Sequence, residues 1–326
     1  MKAILRLLLV LIVLGGAGAG YAVWRGLEVY REEGPLGKPA LVVVEPGEGP
    51  RTIAALLVAE KVISNRFVFL AALRLTEDGS RLKAGEYRFE PGISMEQAIA
   101  KLVAGETVVR RLTVPEGMTS AAVLELIEQT PTLTGDVQEA GEGELLPETY
   151  HFSLGDKRPE VIRRMRQAMR ATVRELWSGR AGNLPISTPE EAVILASIVE
   201  KETGVASERP RVASVFLNRL RKGMRLQSDP TVIYALTEGK SELRRRLTRT
   251  DLATDSPYNT YKVGGLPPGP IANPGRAAIE AVLNPMQTND LYFVADGSGG
   301  HAFAETLDEH NRNVRRWRRL QKDRGG

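Results

Sequence analysis

The sequence predicts an α+β fold carried on a single N-terminal transmembrane helix. Three observations predict it: an uncharged apolar run near the N-terminus, three short strand–turn–helix patterns between residues 41 and 127, and helical periodicities after Thr130 that end in a hairpin and a basic helix. The 326 residues suit about two domains at roughly 100–200 residues each.

The apolar run, Leu7 to Trp24, is 18 residues without a charge, about 27 Å as a helix and close to the thickness of a bilayer core. Lys2 and Arg6 precede it, so the positive-inside rule predicts a cytoplasmic stub (residues 1–6), a membrane anchor (7–24) and an extracytoplasmic remainder. A cleaved signal peptide is the alternative, because Ala17-Gly18-Ala19 resembles a processing site. Tyr21 and Trp24, aromatics at interface depth, favour the anchor. The charged, Gly/Pro-punctuated segment 25–39 reads as a linker.

Three similar stretches follow: LVVVEPGEGPRTIAALL from Leu41, EYRFEPGISMEQAIAKL from Glu86 and RRLTVPEGMTSAAVLELI from Arg110. Each reads as a short strand, a turn at Pro46-Gly47, Pro91-Gly92 or Pro115-Glu116-Gly117, and an amphipathic helix. Residues 40–112 are thus expected to form a small α/β module of the kind that lies on a polysaccharide, and residues 113–326 a second, mostly helical domain.

In that second domain, Val161 to Trp177 carries one apolar stripe, with its arginines elsewhere. Thr188-Pro189-Glu190-Glu191 reads as a capped helix start. The helix runs on as AVILASIVEKET, apolar from Ala192 to Val199 except for Ser197. Glu200 and Glu202 end this run about 200° apart on the helix, so at most one shares the buried face. A carboxyl held against apolar walls keeps its proton and can act as a general acid; a glutamate that merely marks where the helix surfaces cannot. The pattern alone admits both readings of Glu200. A further helix is expected from Arg209 to Lys222, stopped at Gly223.

RLQSDPTVIY (Arg225–Tyr234) and SPYNTY (Ser256–Tyr261) gather Gln, Asp, Asn and Tyr with little net charge, the mixture that grips sugar hydroxyls and N-acetyl groups. Asp229 before Pro230 also suits a helix N-cap. GGLPPGPIANPG (264–275) reads as a stiff shaped loop, Leu291–Ala295 as a strand, and Thr306–Glu309 as the capping box of a final basic helix.

Composition removes other classes. The chain has no cysteine, which excludes thiolate nucleophiles and Cys-ligated metal, and its three histidines are far apart. A net charge of +4 is slight for a nucleic-acid binder. There is no GxxxxGK[ST] and no GxSxG.

ASIVEKET, RLQSDPTVIY, SPYNTY, GLPPGPIANPG, LYFVAD and the GGH and HN near the end, in this order, resemble the membrane-anchored endolytic murein transglycosylases of the YceG-like family. The resemblance implies a single-pass anchor at the plasma (inner) membrane, a LysM-like module over 40–112 and a YceG-like catalytic domain. It implies cleavage of the β-1,4 bond between N-acetylmuramic acid and N-acetylglucosamine without water, leaving a 1,6-anhydro end. The catalytic glutamate it implies is the first of IVEKET, Glu200. LPETY (Leu146–Tyr150) stands where the family has an LPDTY-type segment. Gln227, Asp229, Tyr258, Asn259 and Tyr261 become the candidate sugar contacts. No cofactor or metal is required, no nucleic acid is expected, and the partners are glycan strands, the membrane and peptidoglycan synthases. Two other readings are a hydrolytic muramidase with Asp229 or Asp255 as second carboxylate, and a non-catalytic wall-binding scaffold.

Overall fold

The computed structural model describes residues 2–324; Met1 of the expected stub and Gly325 and Gly326 of the basic tail lie outside the described residues. The chain is mixed α+β and about half helical. It divides into two compact units, Met1–Arg110 with Phe152–Gly155, and Arg111–His151 with Asp156–Gly326.

The first unit begins with α1 (Lys2–Arg31), whose segment Leu8–Arg31 is the one helix among the described residues long and apolar enough to cross a membrane. The segment expected as a linker, 25–39, is therefore helical up to Arg31, because no breaker stands before Gly34-Pro35. The rest of it is docked. The Gly34 N–H points at the carbonyls of Gly92 and Ile93, and Leu36 is buried.

Next come β1 (Ala40–Val44), α2 (Pro50–Ala59), α3 (Arg66–Leu75), β2 (Gly85–Phe89) and α4 (Met95–Ala104). β1 and β2 pair antiparallel, from Ala40 opposite Phe89 to Val44 opposite Gly85. Their period of two turns Val42, Val44, Tyr87 and Phe89 into a core completed by Ile53, Leu57, Phe69, Leu73, Ile99 and Leu102. Asn65 caps α3, and Ser94 with Gln97 forms a capping box on α4.

The second unit, from Arg111, holds all but the first residue of β3 (Arg110–Thr113), all but the last residue of its partner β4 (Thr149–Phe152), and α5 (Ser120–Glu128). All three strand–turn–helix patterns form as read. Their turn glycines, Gly47, Gly92 and Gly117, have φ of 91°, 72° and 76°, open to glycine at little cost.

The helical part comprises α6 (Arg158–Ser178), α7 (Pro189–Glu202), α8 (Arg209–Arg221), α9 (Asp229–Thr237), α10 (Arg249–Leu252) and α11 (Arg276–Leu283). Thr188 caps α7 by accepting from the Glu191 N–H. α7 is central: Ala192, Leu195, Ala196, Ile198 and Val199 pack among residues of α6, α8 and α11. Its one polar residue in the apolar run, Ser197, is fully buried and has a use, for its Oγ accepts the Ile271 N–H at 3.0 Å. That bond pins the proline-rich loop to α7. The hairpin β5 (Tyr292–Ala295) and β6 (His301–Ala304) and the helix α12 (Leu307–Arg324) close the unit.

Candidate active site

The end of α7 holds two carboxyl groups in different surroundings. Glu200 Oε2 accepts the Gly275 N–H at 2.9 Å, and its Oε1 lies 3.4 Å from Arg209 Nη2. The same guanidinium nitrogen is 3.7 Å from Glu116 Oε2, on the turn before α5. The Glu200 side chain is only 6% exposed. Burial pushes its carboxyl above the ordinary range, with Glu116 adding to this, although the Gly275 N–H, Arg209 and Lys201 oppose it.

The close fit explains Gly275, and the φ of 76° explains Gly117. A Cβ on Gly275 would fall 1.8 Å from Glu116 Oε1, and one on Gly117 would touch Glu200 Cγ at 3.4 Å.

Glu202, two residues on, lines a cleft of about 490 Å³. Its Oε1 accepts the Ser228 hydroxyl at 2.6 Å. Desolvation raises its pKa; Asp229 raises it too, while the Ser228 bond, His301 and Arg219 pull it down. The solvated partner expected beside Glu200 is thus absent, because α8 and the hairpin cover this side of α7's last turn.

The chain before α9 builds the opposite wall. Gln227 sits at φ 51°, a left-handed conformation unusual for a non-glycine residue, and its N–H bonds to the Thr260 carbonyl at 3.1 Å. That kink leaves Gln227 and Asp229 exposed and turns Ser228, between them, inward to Glu202. Asp229 Oδ1 accepts the Tyr261 hydroxyl at 2.6 Å. Burial lifts the Tyr261 pKa, and the bond to Asp229 adds to it.

The far side of the cleft is cationic and aromatic. Arg219 donates to the carbonyls of Leu291 and Leu226, each at 2.7 Å, and stands over the Tyr292 ring. Tyr292 stacks on His310 at 5.1 Å. His310 Nδ1 is buried without a hydrogen-bond partner, and burial lowers the pKa of the ring. A second groove of about 790 Å³ runs past Glu116, Lys201 and Tyr234. Glu200 lines neither.

Of the five sugar contacts expected from the sequence, Gln227, Asp229 and Tyr261 meet in the Glu202 cleft. The other two stand elsewhere. Asn259 is fully buried, its amide donating to the carbonyls of Leu252 and Thr254 and its Oδ1 accepting from the Tyr261 N–H, so it shapes the turn that presents Tyr261. Tyr258, half-buried, packs against Tyr234 at 4.8 Å and against the core cluster around α7. Asp229 is not an N-cap: Ser228 holds that position, and Asp229 is the first helical residue. Asp255 is outside the cleft, fully exposed beside Lys262.

Sequence reasoning does not single out Glu116, Arg209, Ser228 or Arg219. Their signals were a turn Pro-Glu-Gly, and polar residues inside otherwise apolar helical or loop contexts, which periodicity assigns to solvent. Among the described residues, no group of three His, Asp or Glu could hold a metal ion.

Residues 42–316 match the YceG-like family. The chain is 34% identical over 302 residues, 82% of either chain, to the endolytic murein transglycosylase of Bacillus subtilis (strain 168). It is 32% identical over 281 residues, 72% of this chain and 50% of the other, to the endolytic murein transglycosylase of Streptococcus pneumoniae serotype 2. The crystal structure of a yceG-like protein from Listeria monocytogenes superposes with a TM-score of 0.52 at 32% identity, covering 85% of this chain and 99% of that one.

Proposed function

The chain belongs to the YceG-like family, and we propose that it is a peptidoglycan lytic transglycosylase; the family resemblance implies Glu200 as the proton-carrying group, and the cleft geometry favours Glu202 in its place. One observation carries the choice. Gln227, Asp229 and Tyr261 converge on the cleft that contains the desolvated carboxyl of Glu202. Both oxygens of Glu200 instead face fixed donors, Gly275 and Arg209. Glu200 serves the site by tying α7 to the end of the proline-rich loop.

The chemistry follows from a carboxyl that keeps its proton. Glu202 donates to the oxygen leaving C1 of the muramyl residue as the glycosidic bond breaks. The resulting carboxylate takes the proton from the muramyl C6 hydroxyl while that oxygen closes onto C1. The product is a 1,6-anhydro end, and the acid is regenerated. Hydrolytic glycosidases need a second carboxylate to activate water or attack C1; here the substrate brings its own nucleophile. Asp229, in the same cleft, leaves a hydrolytic muramidase as the second reading, with Asp229 as base.

We read α1 as a retained anchor at the plasma (inner) membrane with residues 1–6 in the cytoplasm, and residues 40–112 as a LysM-like module that rests on glycan. That topology brings the cleft to newly made strands beside the synthases that extrude them. The test is mass analysis of products released from purified sacculi by the full chain in membranes. Anhydro-muropeptides are expected; products one water heavier support the muramidase, and binding without release supports a scaffold.

A further inference from the structure

The first unit carries an apolar groove that the glycan chemistry does not use. One wall is the outer end of α1, at Ala22, Val23, Gly26, Leu27 and Tyr30; the other is a stripe of α3 at Phe67, Val68, Ala71, Ala72 and Leu75. The volume between them is about 500 Å³. Phe67 is 68% and Leu75 85% exposed, although both are large and apolar. Spaced eight apart, they lie on one face of α3, which a water-facing helix would fill with polar groups.

The α1 wall is not a separate surface. It continues the side of the same helix that is apolar from Leu8 to Trp24, with those side chains uniformly exposed. Tyr21 and Trp24 mark interface depth where the groove begins. The space beside Gly26 is open, since a Cβ there would meet nothing within 4 Å. Arg66 and Arg74 stand on α3 itself, with Arg66 over the Phe67 ring at 4.8 Å, an arrangement in which apolar rings enter the acyl region while guanidinium groups stay among headgroups.

We propose that this groove takes the acyl chains of phospholipids in the leaflet from which the exported units emerge, so that α3 lies in the membrane interface beside the anchor. The acids near the groove (Glu28, Glu32, Glu33) offset its arginines (Arg25, Arg31, Arg66, Arg74) to within one charge, so the attraction is apolar and does not depend on anionic lipid. The inference rests on α1 being a membrane anchor.

The chain has no cysteine, so single-cysteine variants label cleanly. Leu75→Cys, Phe67→Cys, Leu11→Cys in the span and Glu48→Cys as an exposed reference would each carry an environment-sensitive fluorophore. The full chain is reconstituted in phosphatidylcholine vesicles with and without acyl-chain spin-labelled lipid. The proposal expects several-fold quenching at positions 75, 67 and 11 and none at 48. Quenching at 11 alone overturns it and leaves the anchor standing. No quenching at 11 overturns both. A blue-shifted but unquenched label at 75 means that protein, a second copy included, fills the groove, which also overturns it.

Discussion

The Ser228 hydroxyl donates to Glu202 across 2.6 Å, joining the last turn of α7 to the residue before α9. A donor on a carboxylate favours its charged form, so this bond works against the desolvation that raises the Glu202 pKa. The balance between the two sets the pH range over which the acid is available.

Ser228→Ala removes the donor and leaves the burial. The pKa of Glu202 rises further, and the alkaline limb of the kcat/KM profile moves to higher pH. Rates on soluble glycan strands between about pH 5 and 9 read this directly. A limb that stays put, or moves down, contradicts the role given to the bond.

Stability should report the same carboxyl. Because the folded pKa lies above the unfolded value near 4.3, the folded state binds the extra proton, and stability is lost as pH rises from that value through the folded pKa. Glu202→Gln abolishes this loss. Its melting temperature should exceed that of the parent at about pH 8 and converge on it toward pH 4. A variant that melts lower at pH 8 shows that the charged carboxylate is held, not penalised.

Gly275 and Glu116 should be coupled. Gly275→Ala drives a methyl group into the Glu116 carboxylate, which must swing away from Arg209 and disturb the loop that donates to Glu200. The expected cost is about 1 kcal/mol, and it should shrink in the Glu116→Ala background. Chemical denaturation of the four members of this cycle tests it; strictly additive effects refute the clash.

Tyr261→Phe frees Asp229 at the cleft rim without opening a cavity. The fold should persist, KM for glycan should rise several-fold, and kcat should change less, because the pair positions sugar and carries no proton. Equal KM with a large fall in kcat would instead give Asp229 the base role of a muramidase.

Much of the architecture was legible because it rests on period and punctuation. Thr188 and Gly223 mark ends that a sequence reading finds, and the stripe on α6 needs no tertiary knowledge. The cleft was legible only in part. Gln227, Asp229 and Tyr261 stand out by chemistry, but Asn259 and Tyr258 share that chemistry and serve the interior. The difference in surroundings between Glu200 and Glu202 was illegible for a physical reason. Two residues on one helix turn have their burial decided by what packs there, here Gly275 and Arg209 on one side, Ser228 and the hairpin on the other. Residues 9, 26 and 75 positions away in sequence decide it, and no local pattern carries that information.

Glu202→Gln and Glu200→Gln, purified as full chains in the same membrane and assayed for anhydro-muropeptide release from sacculi, separate the two carboxyls. Glu202→Gln should lose activity by about 10³-fold or more with its fold intact, while Glu200→Gln, nearly isosteric and still able to accept from Gly275, retains a substantial fraction. Normal turnover by Glu202→Gln, or abolished turnover by a folded Glu200→Gln alone, would return the proton to Glu200.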